Sequence, residues 1–308
     1  MTHDQFPVGE SKTSYTVSLK ERIITSIDGG KLGELVAARV TDRHDVIDVL
    51  DAPNTTISKV AEVLKPSANT DVVRWVEQHN LAEVPADQQE LIFSLADEFG
   101  LRLPVDHELP TVDNPLIATE GGANRTSVVR RGLAETLLGE QGGTMYQFGS
   151  PNRIIAPTRK DKDGNEIENA EYKVISSEDI CGDLDGQSVS EFDVNVASAV
   201  SAGYEITGEQ NDTHVTLQKG NITLVVLKAA SLKEGIAQLA EAGILGGRNV
   251  VVSTNGQYRT KDIIQTEAVL AELGVEVESV QAIGDETGKR DAKIYIAELA
   301  VVLRELAK

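Results

Sequence analysis

The sequence predicts an α/β fold: a Rossmann-like, mostly parallel sheet flanked by helices, with a mainly helical N-terminal region and an inserted β-hairpin. Three observations predict it. From Pro115 onward, short apolar runs alternate with amphipathic segments of about 12 to 15 residues, the pattern of parallel strands joined by right-handed helical crossovers. Before that point, apolar residues recur three and four apart, which is a helical period. The 308 residues are 40% hydrophobic and 25% charged, so there is enough apolar chain for a packed core in one large domain or two ordinary ones.

The elements follow in order. Residues 1–105 read as the helical region, through "TTISKVAEVLK", "TDVVRWVEQHN" and "PADQQELIFSLADEFG". The last has Pro85 near its start and Gly100 just past its end, the asymmetry expected of a helix. "SYTVSL" reads as a short strand. "GLRLPVDHELPTVDNP" holds three of the nine prolines and leads into a Rossmann-like domain over residues 106–308. There "PLIAT" is the first strand, followed by the loop "EGGANR" and the helix "TSVVRRGLAETLLGE", with Val129, Leu133 and Leu137 on one face. "GTMYQF" is the second strand and ends in "GSPNR". "SVSEFDVNVASAVSAGY" is the next helix. "ITLVVL" and "NVVVST" are the third and fourth strands, each trailed by a helix, "SLKEGIAQLAEAG" and "TKDIIQTEAVLAELG". The second of these helices lines one side with Ile263, Ile264, Leu270 and Ala271. "VEVESVQAIGD" is the fifth strand, and "DAKIYIAELAVVLRELAK" closes the chain as a helix.

One stretch interrupts the alternation. Near residues 153–176, two β-prone arms flank Asp163-Gly164-Asn165, a hairpin turn. Asp161, Asp163 and Asn165 match the first ligands of a calcium loop. Glu166 and Tyr172, however, stand where that loop requires a glycine and a bidentate glutamate. A plain hairpin is expected.

Composition excludes several functions. Forty-nine acidic against 29 basic residues give a net charge of −20, a surface that repels phosphate backbones, so no nucleic-acid partner is expected. The single cysteine, Cys181, allows neither an intrachain disulfide nor a cysteine zinc site. The opening "MTHDQFPVGESKTSYTV" lacks the basic and apolar blocks of a secretory signal, and no stretch approaches the roughly 18 apolar residues of a membrane span. A cytoplasmic protein is expected.

In an open parallel sheet, ligands bind beyond the carboxyl ends of the strands. The candidates are therefore the strand tails: Glu120, Asn124 and Arg125 after the first strand, Ser150 and Arg153 after the second, and Lys228 after the third. The fourth contributes Ser253, Thr254, Asn255, Gln257 and Arg259. Glycine-bearing loops leading into helix N-termini, with arginines close by, fit a phosphate or carboxylate, so the expected partner is an anionic small molecule. Glu120 and Glu191 are the candidate general acids or bases. The alternative use of these arginines is to pair with Glu120, Glu191 or Asp193.

Specific motifs are missing. "EGGANR" does not have the spacing of a dinucleotide fingerprint, "GESKT" is not a phosphate loop, and there is no nucleophile elbow, so no cofactor is indicated. No histidine falls in a strand-end loop. Asp183 and Asp185 form an acidic turn that can hold a magnesium ion beside a phosphate or stand without a metal.

The succession "ATEGGANRTSVVRRGLAETL", "YQFGS", "SVSEFDVNVASAVSAGY" and "VVVSTNGQYRTKDIIQTEAVLAELGV" resembles the SanA/YdcF-like family of α/β proteins over roughly residues 114–285. The resemblance implies a pocket at the strand C-termini for a nucleotide-like or phosphorylated ligand, lined by Arg125 or Arg130, Ser150, Glu191, Thr254 and Arg259. The family's histidine in the last loop is replaced here by Gln257 and Tyr258. Three functions follow: an enzyme acting on a phosphorylated or nucleotide-like small molecule, a non-catalytic metabolite-binding or regulatory protein, and a structural scaffold without a functional pocket.

Overall fold

The computed structural model describes residues 14–39, 53–64, 83–102, 109–122, 125–161, 163–177, 180–208, 212–285 and 291–308, with the backbone alone at 53–55, 125–126 and 285. Helices α1 (Tyr15–Ile27), α2 (Lys31–Arg39), α3 (Pro53–Leu64) and α4 (Ala86–Glu98) precede the sheet. Then come β1 (Pro115–Thr119), α5 (Arg125–Leu138) and β2 (Gly143–Gly149). The insertion contributes β3 (Ile154–Ile155), β4 (Thr158–Lys160), β5 (Glu166–Glu168) and α6 (Ala170–Ile175). It is followed by β6 (Val189–Ser190), α7 (Glu191–Ser201), β7 (Glu205–Ile206), β8 (His214–Lys219), β9 (Ile222–Lys228) and α8 (Leu232–Glu241). The chain ends with β10 (Asn249–Asn255), α9 (Arg259–Glu272), β11 (Ser279–Asp285) and α10 (Ala292–Leu306).

The central sheet runs β11-β10-β1-β2-β9-β8-β7. The first five are parallel, and β8 and β7 add antiparallel strands at one edge. Taken in chain order, the parallel strands β9-β2-β1-β10-β11 have the sequence 3-2-1-4-5, that of a doubly wound Rossmann-type sheet. The order reverses between β1 and β10, so these two strands define the crevice.

Both faces of the sheet are covered, which is why its central strands read as apolar runs. Val250, Val251 and Val252 are each 0% exposed, and burying each such side chain contributes about 1.5–3 kcal/mol. One face packs Leu116, Ala118, Val250 and Val252 against Ile236 of α8 and Ile263 of α9. The other packs Ile117, Met145 and Val251 against Ala134 of α5 and Ala199 of α7. A third cluster joins the N-terminal helices to α10, through Leu19, Leu35, Val60 and Leu95 against Leu299 and Leu303.

Several expectations need correction. "SYTVSL" is not a strand but the start of α1, capped by Ser14, with Leu19, Ile23 and Ile27 buried four apart. The N–H groups of Tyr15 and Thr16 donate to the two carboxylate oxygens of Glu267 on α9, at 2.9 and 2.8 Å, an anion on the positive end of the helix. On α5, Val129 is 43% exposed, and the inner face carries Ser127, Arg130, Arg131, Ala134 and Leu138. That face meets polar groups of the sheet and of α7, so the apolar stripe does not mark it. Ala271 of α9 is exposed. "HVTLQK" forms β8, a strand not anticipated; it pairs with β9 through the two-residue turn Gly220-Asn221, with Gly220 at φ +58°. The segment "TDVVRWVEQHN" lies outside the described residues.

The insertion does hold a hairpin, β4 on β5, beside a second pair, β3 on β6. The carboxylate of Asp161 accepts from the N–H groups of Asp163 and Asn165, both at 2.9 Å, and these bonds lower its pKa. Its charge closes the turn. Among the described residues no helix is long and apolar enough to cross a membrane.

Candidate functional site

Polar side chains begin at the carboxyl ends of the strands, still beneath the helices that cover them. On the α5/α7 face, Ser253, Thr119 and Gln147 stand in register across β10, β1 and β2, each at most 1% exposed. Ser253 donates its hydroxyl to the Arg130 carbonyl at 2.9 Å, which spends it on holding α5. Gln147 donates to Asn195 Oδ1 at 3.3 Å, and Asn195 donates to the Phe148 carbonyl at 3.1 Å. Gly121 lies against the same Phe148 carbonyl, where a Cβ would come within 1.7 Å of the oxygen. The loop after β1 therefore needs glycine for close approach, not for an unusual φ. The buried oxygens Thr119 Oγ1 and Gln147 Oε1 have no hydrogen-bond partner among the described residues.

On the opposite face the pleat brings Thr254 and Glu120 together, two residues beyond Val252 and Ala118. The Glu120 N–H still donates to the Ser253 carbonyl at 3.0 Å, so β1 and β10 remain paired up to the crevice. Thr254 Oγ1, on a residue 0% exposed, lies 2.9 Å from Glu120 Oε2 and 2.6 Å from Asp262 Oδ2 in the first turn of α9. Lys261 Nζ sits 2.6 Å from Asp262 Oδ1, and 4.8 Å from the centre of the Tyr258 ring. Arg130 Nη1 donates to the carbonyls of Glu120 and Gly121 at 3.2 and 2.7 Å and stands 3.8 Å from Glu120 Oε2. Complete burial pushes the Asp262 carboxyl up to about 6, and the charge of Glu120 pushes the same way, against Lys261 and the Thr254 hydroxyl.

The remaining strand-end candidates are placed differently. Ser150 accepts from the Arg153 N–H at 3.2 Å, while its carbonyl accepts from the Phe192 N–H at 3.3 Å. Glu191 opens α7 and pairs with Arg153 at 2.9 Å; Arg153 also bonds Glu171. This is the arginine–glutamate pairing named above as the alternative to an anion. Lys228 Nζ lies 5.1 Å from the centre of the Phe192 ring. Arg259 is half-buried and donates through Nε to the Ala282 carbonyl at 3.1 Å, and burial lowers its pKa. Asn255 Oδ1 and Gln257 Oε1 are buried acceptors with no partner among the described residues. Asn124 and the Arg125 side chain lie outside the described residues.

Three contributors escaped the sequence: Asp262, Lys261 and Asn195. Their signal was a run of charge, "RTKD", directly after a buried strand, and one asparagine inside an apolar helix. Among the described residues no group of three or more His, Cys, Asp or Glu side chains is placed to hold a metal ion. Chemically, the ends of β1 and β10 bring together a partly exposed carboxylate, a second carboxyl that is fully buried, and a cation paired to that second group. No protein-family model matches the chain, and neither a curated protein nor a solved structure is significantly similar to it.

Proposed function

We propose that the chain binds a small phosphorylated or nucleotide-like molecule at the crevice between the ends of β1 and β10, and acts on it as an enzyme. The observation that carries this reading is the concentration of charge at the topological switch point. The side chains of Arg130, Lys261 and Asp262 are only 5, 5 and 0% exposed there, and Glu120 stands at 21%. Burying charges is costly even when they are paired, and such clusters in a cleft are characteristic of functional sites. Glu120 faces the crevice as an acceptor for ligand hydroxyl groups, and the start of α5 supplies N–H donors for an anionic end. The order of features shared with the SanA/YdcF-like family supports the same position for a pocket. A small-molecule rather than nucleic-acid partner goes with the −20 charge.

A non-catalytic role is the second reading. What favours it is that Ser150, Ser253 and Arg153 spend their hydrogen bonds on the fold. Thermal melts against nucleotides, sugar phosphates and inorganic phosphate test the binding site, with Glu120→Gln run alongside. A ligand at a hundred times its dissociation constant adds about 2.7 kcal/mol to the native state. The wild type is expected to shift with one phosphorylated class and the variant to shift less. No shift with any class overturns the proposal, and binding without turnover selects the non-catalytic reading.

A further inference from the structure

Thr254 makes two short contacts with one hydroxyl, and a hydroxyl has one proton to give. Its oxygen lies 2.9 Å from Glu120 Oε2 and 2.6 Å from Asp262 Oδ2, and ionised carboxylates only accept. If both acids were ionised, the two contacts would have a single proton between them, one of them to a carboxyl with no exposed surface. A further proton on one of the two acids gives each contact a hydrogen of its own. Asp262 is the acid with no exposed surface, and Glu120 is the one that is partly exposed, at 21%.

We propose that Glu120, Thr254 and Asp262 share one proton, relayed through the Thr254 hydroxyl, so that Glu120 is the general acid–base of the crevice and Asp262 its buried reservoir. When the pair holds its one proton, Asp262 Oδ2 carries it and donates to Thr254 Oγ1, which donates to the Glu120 carboxylate. The proton of Asp262 passes to Thr254 as the proton of Thr254 passes to Glu120 Oε2. The bonds formed and broken are all O–H, so no other reactant is needed. The charge left on Asp262 lies 2.6 Å from Lys261 Nζ, which stabilises it. Glu120 is then neutral and donates to a basic atom of the ligand; taking a proton from a ligand hydroxyl or water restores the start. This deepens the proposed function toward proton-transfer or hydrolytic chemistry. The role at the ligand rests on the crevice being the binding site, whereas the shared proton does not.

Among the described residues, the charges bearing on Asp262 are Lys261 of its own helix and Glu120, and Arg130 of α5 stands 3.8 Å from Glu120. Among the elements packed on α9, α1 brings Tyr15, whose hydroxyl lies 3.4 Å from Thr260 Oγ1. Lys233 of α8 pairs with Glu305 of α10 at 3.9 Å, α10 also carries the buried Glu298, and β11 ends at Asp285, in register with Asn255. The buried acceptor Gln257 Oε1 lies on the turn that joins Thr254 to Asp262, and it has no partner among the described residues.

The test is infrared and carboxyl-carbon NMR titration of the full chain without ligand. The wild type is expected to keep one carboxyl protonated up to about pH 6, above the ordinary carboxylate range, a feature lost in both Asp262→Asn and Glu120→Gln. In Glu120→Gln the upper titration step of the pair should fall by at least about one pH unit, because Thr254 is then free to donate to Asp262. Thr254→Ser should keep the wild-type titration and Thr254→Val shift it. A wild type whose carboxyls all titrate in the ordinary range, or a Thr254→Val variant that titrates as the wild type does, overturns the proposal. If Thr254→Val does not fold, the wild-type band and Glu120→Gln decide the matter, since Glu120 is partly exposed. A retained proton with no ligand shift leaves the relay standing and removes the binding site; ligand binding with no retained proton does the reverse.

Discussion

Two clusters of charge stand at the same edge of the sheet and are built on opposite plans. At the end of β2, Arg153 is 48% exposed and lies between Glu171 and Glu191, at 27 and 11%. Water screens these charges, and each acid has the same arginine to hand, so the cluster fastens the insertion to α7. At the β1/β10 switch point, Asp262 and Lys261 are almost closed to water, and Asp262 shares its hydroxyl partner with a second acid. Burial is what separates them. The same Coulombic contact is a surface strap in one place and, in the other, couples the protonation states of its members.

Replacing Lys261 with methionine should break that contrast most sharply. Removing one partner of a buried pair strands the other, so urea unfolding above neutral pH should show a loss of about 3 kcal/mol. The loss should shrink toward acid, where Asp262 becomes neutral. A uniform loss across pH would mean that packing alone was removed.

Asp262→Asn should come next, read as a slope against pH. A carboxyl whose pKa is raised on folding binds more protons in the folded than in the unfolded state. Its contribution therefore favours the folded state at acid pH and is lost as pH rises from the ordinary 3.8 to about 6. Relative to the asparagine variant, the wild type should lose on the order of 2 kcal/mol across that window. Equal slopes for the two proteins would show that Asp262 is not the group that titrates.

Arg153→Ala should have the smallest effect, a loss of about 0.5 kcal/mol in the same unfolding experiment, fading with added salt. A loss as large as that of Lys261→Met would erase the distinction between the clusters.

How much was legible follows the same division. Thr254 and Glu120 were visible as polar tails of apolar strands, because a strand's period and its end are local features. Asp262 was not, because it sits in the first turn of a helix, where an acid is ordinary. Arg259 and Ser253 looked like ligand groups from their positions, yet one donates to the Ala282 carbonyl and the other to that of Arg130. Position at a strand end selects residues that meet the crevice and residues that hold its walls, without telling them apart.

By itself the sequence determined the α/β class, the five parallel strands, the helix that follows each of them and the inserted hairpin, since each depends on side-chain periods spanning a few residues. Only the tertiary structure decided the 3-2-1-4-5 order, and with it the crevice. It alone set Glu120 beside Thr254, 134 residues later in the chain. Such a meeting depends on which strands become neighbours and on which charges lose their water, and no local pattern along the chain records either.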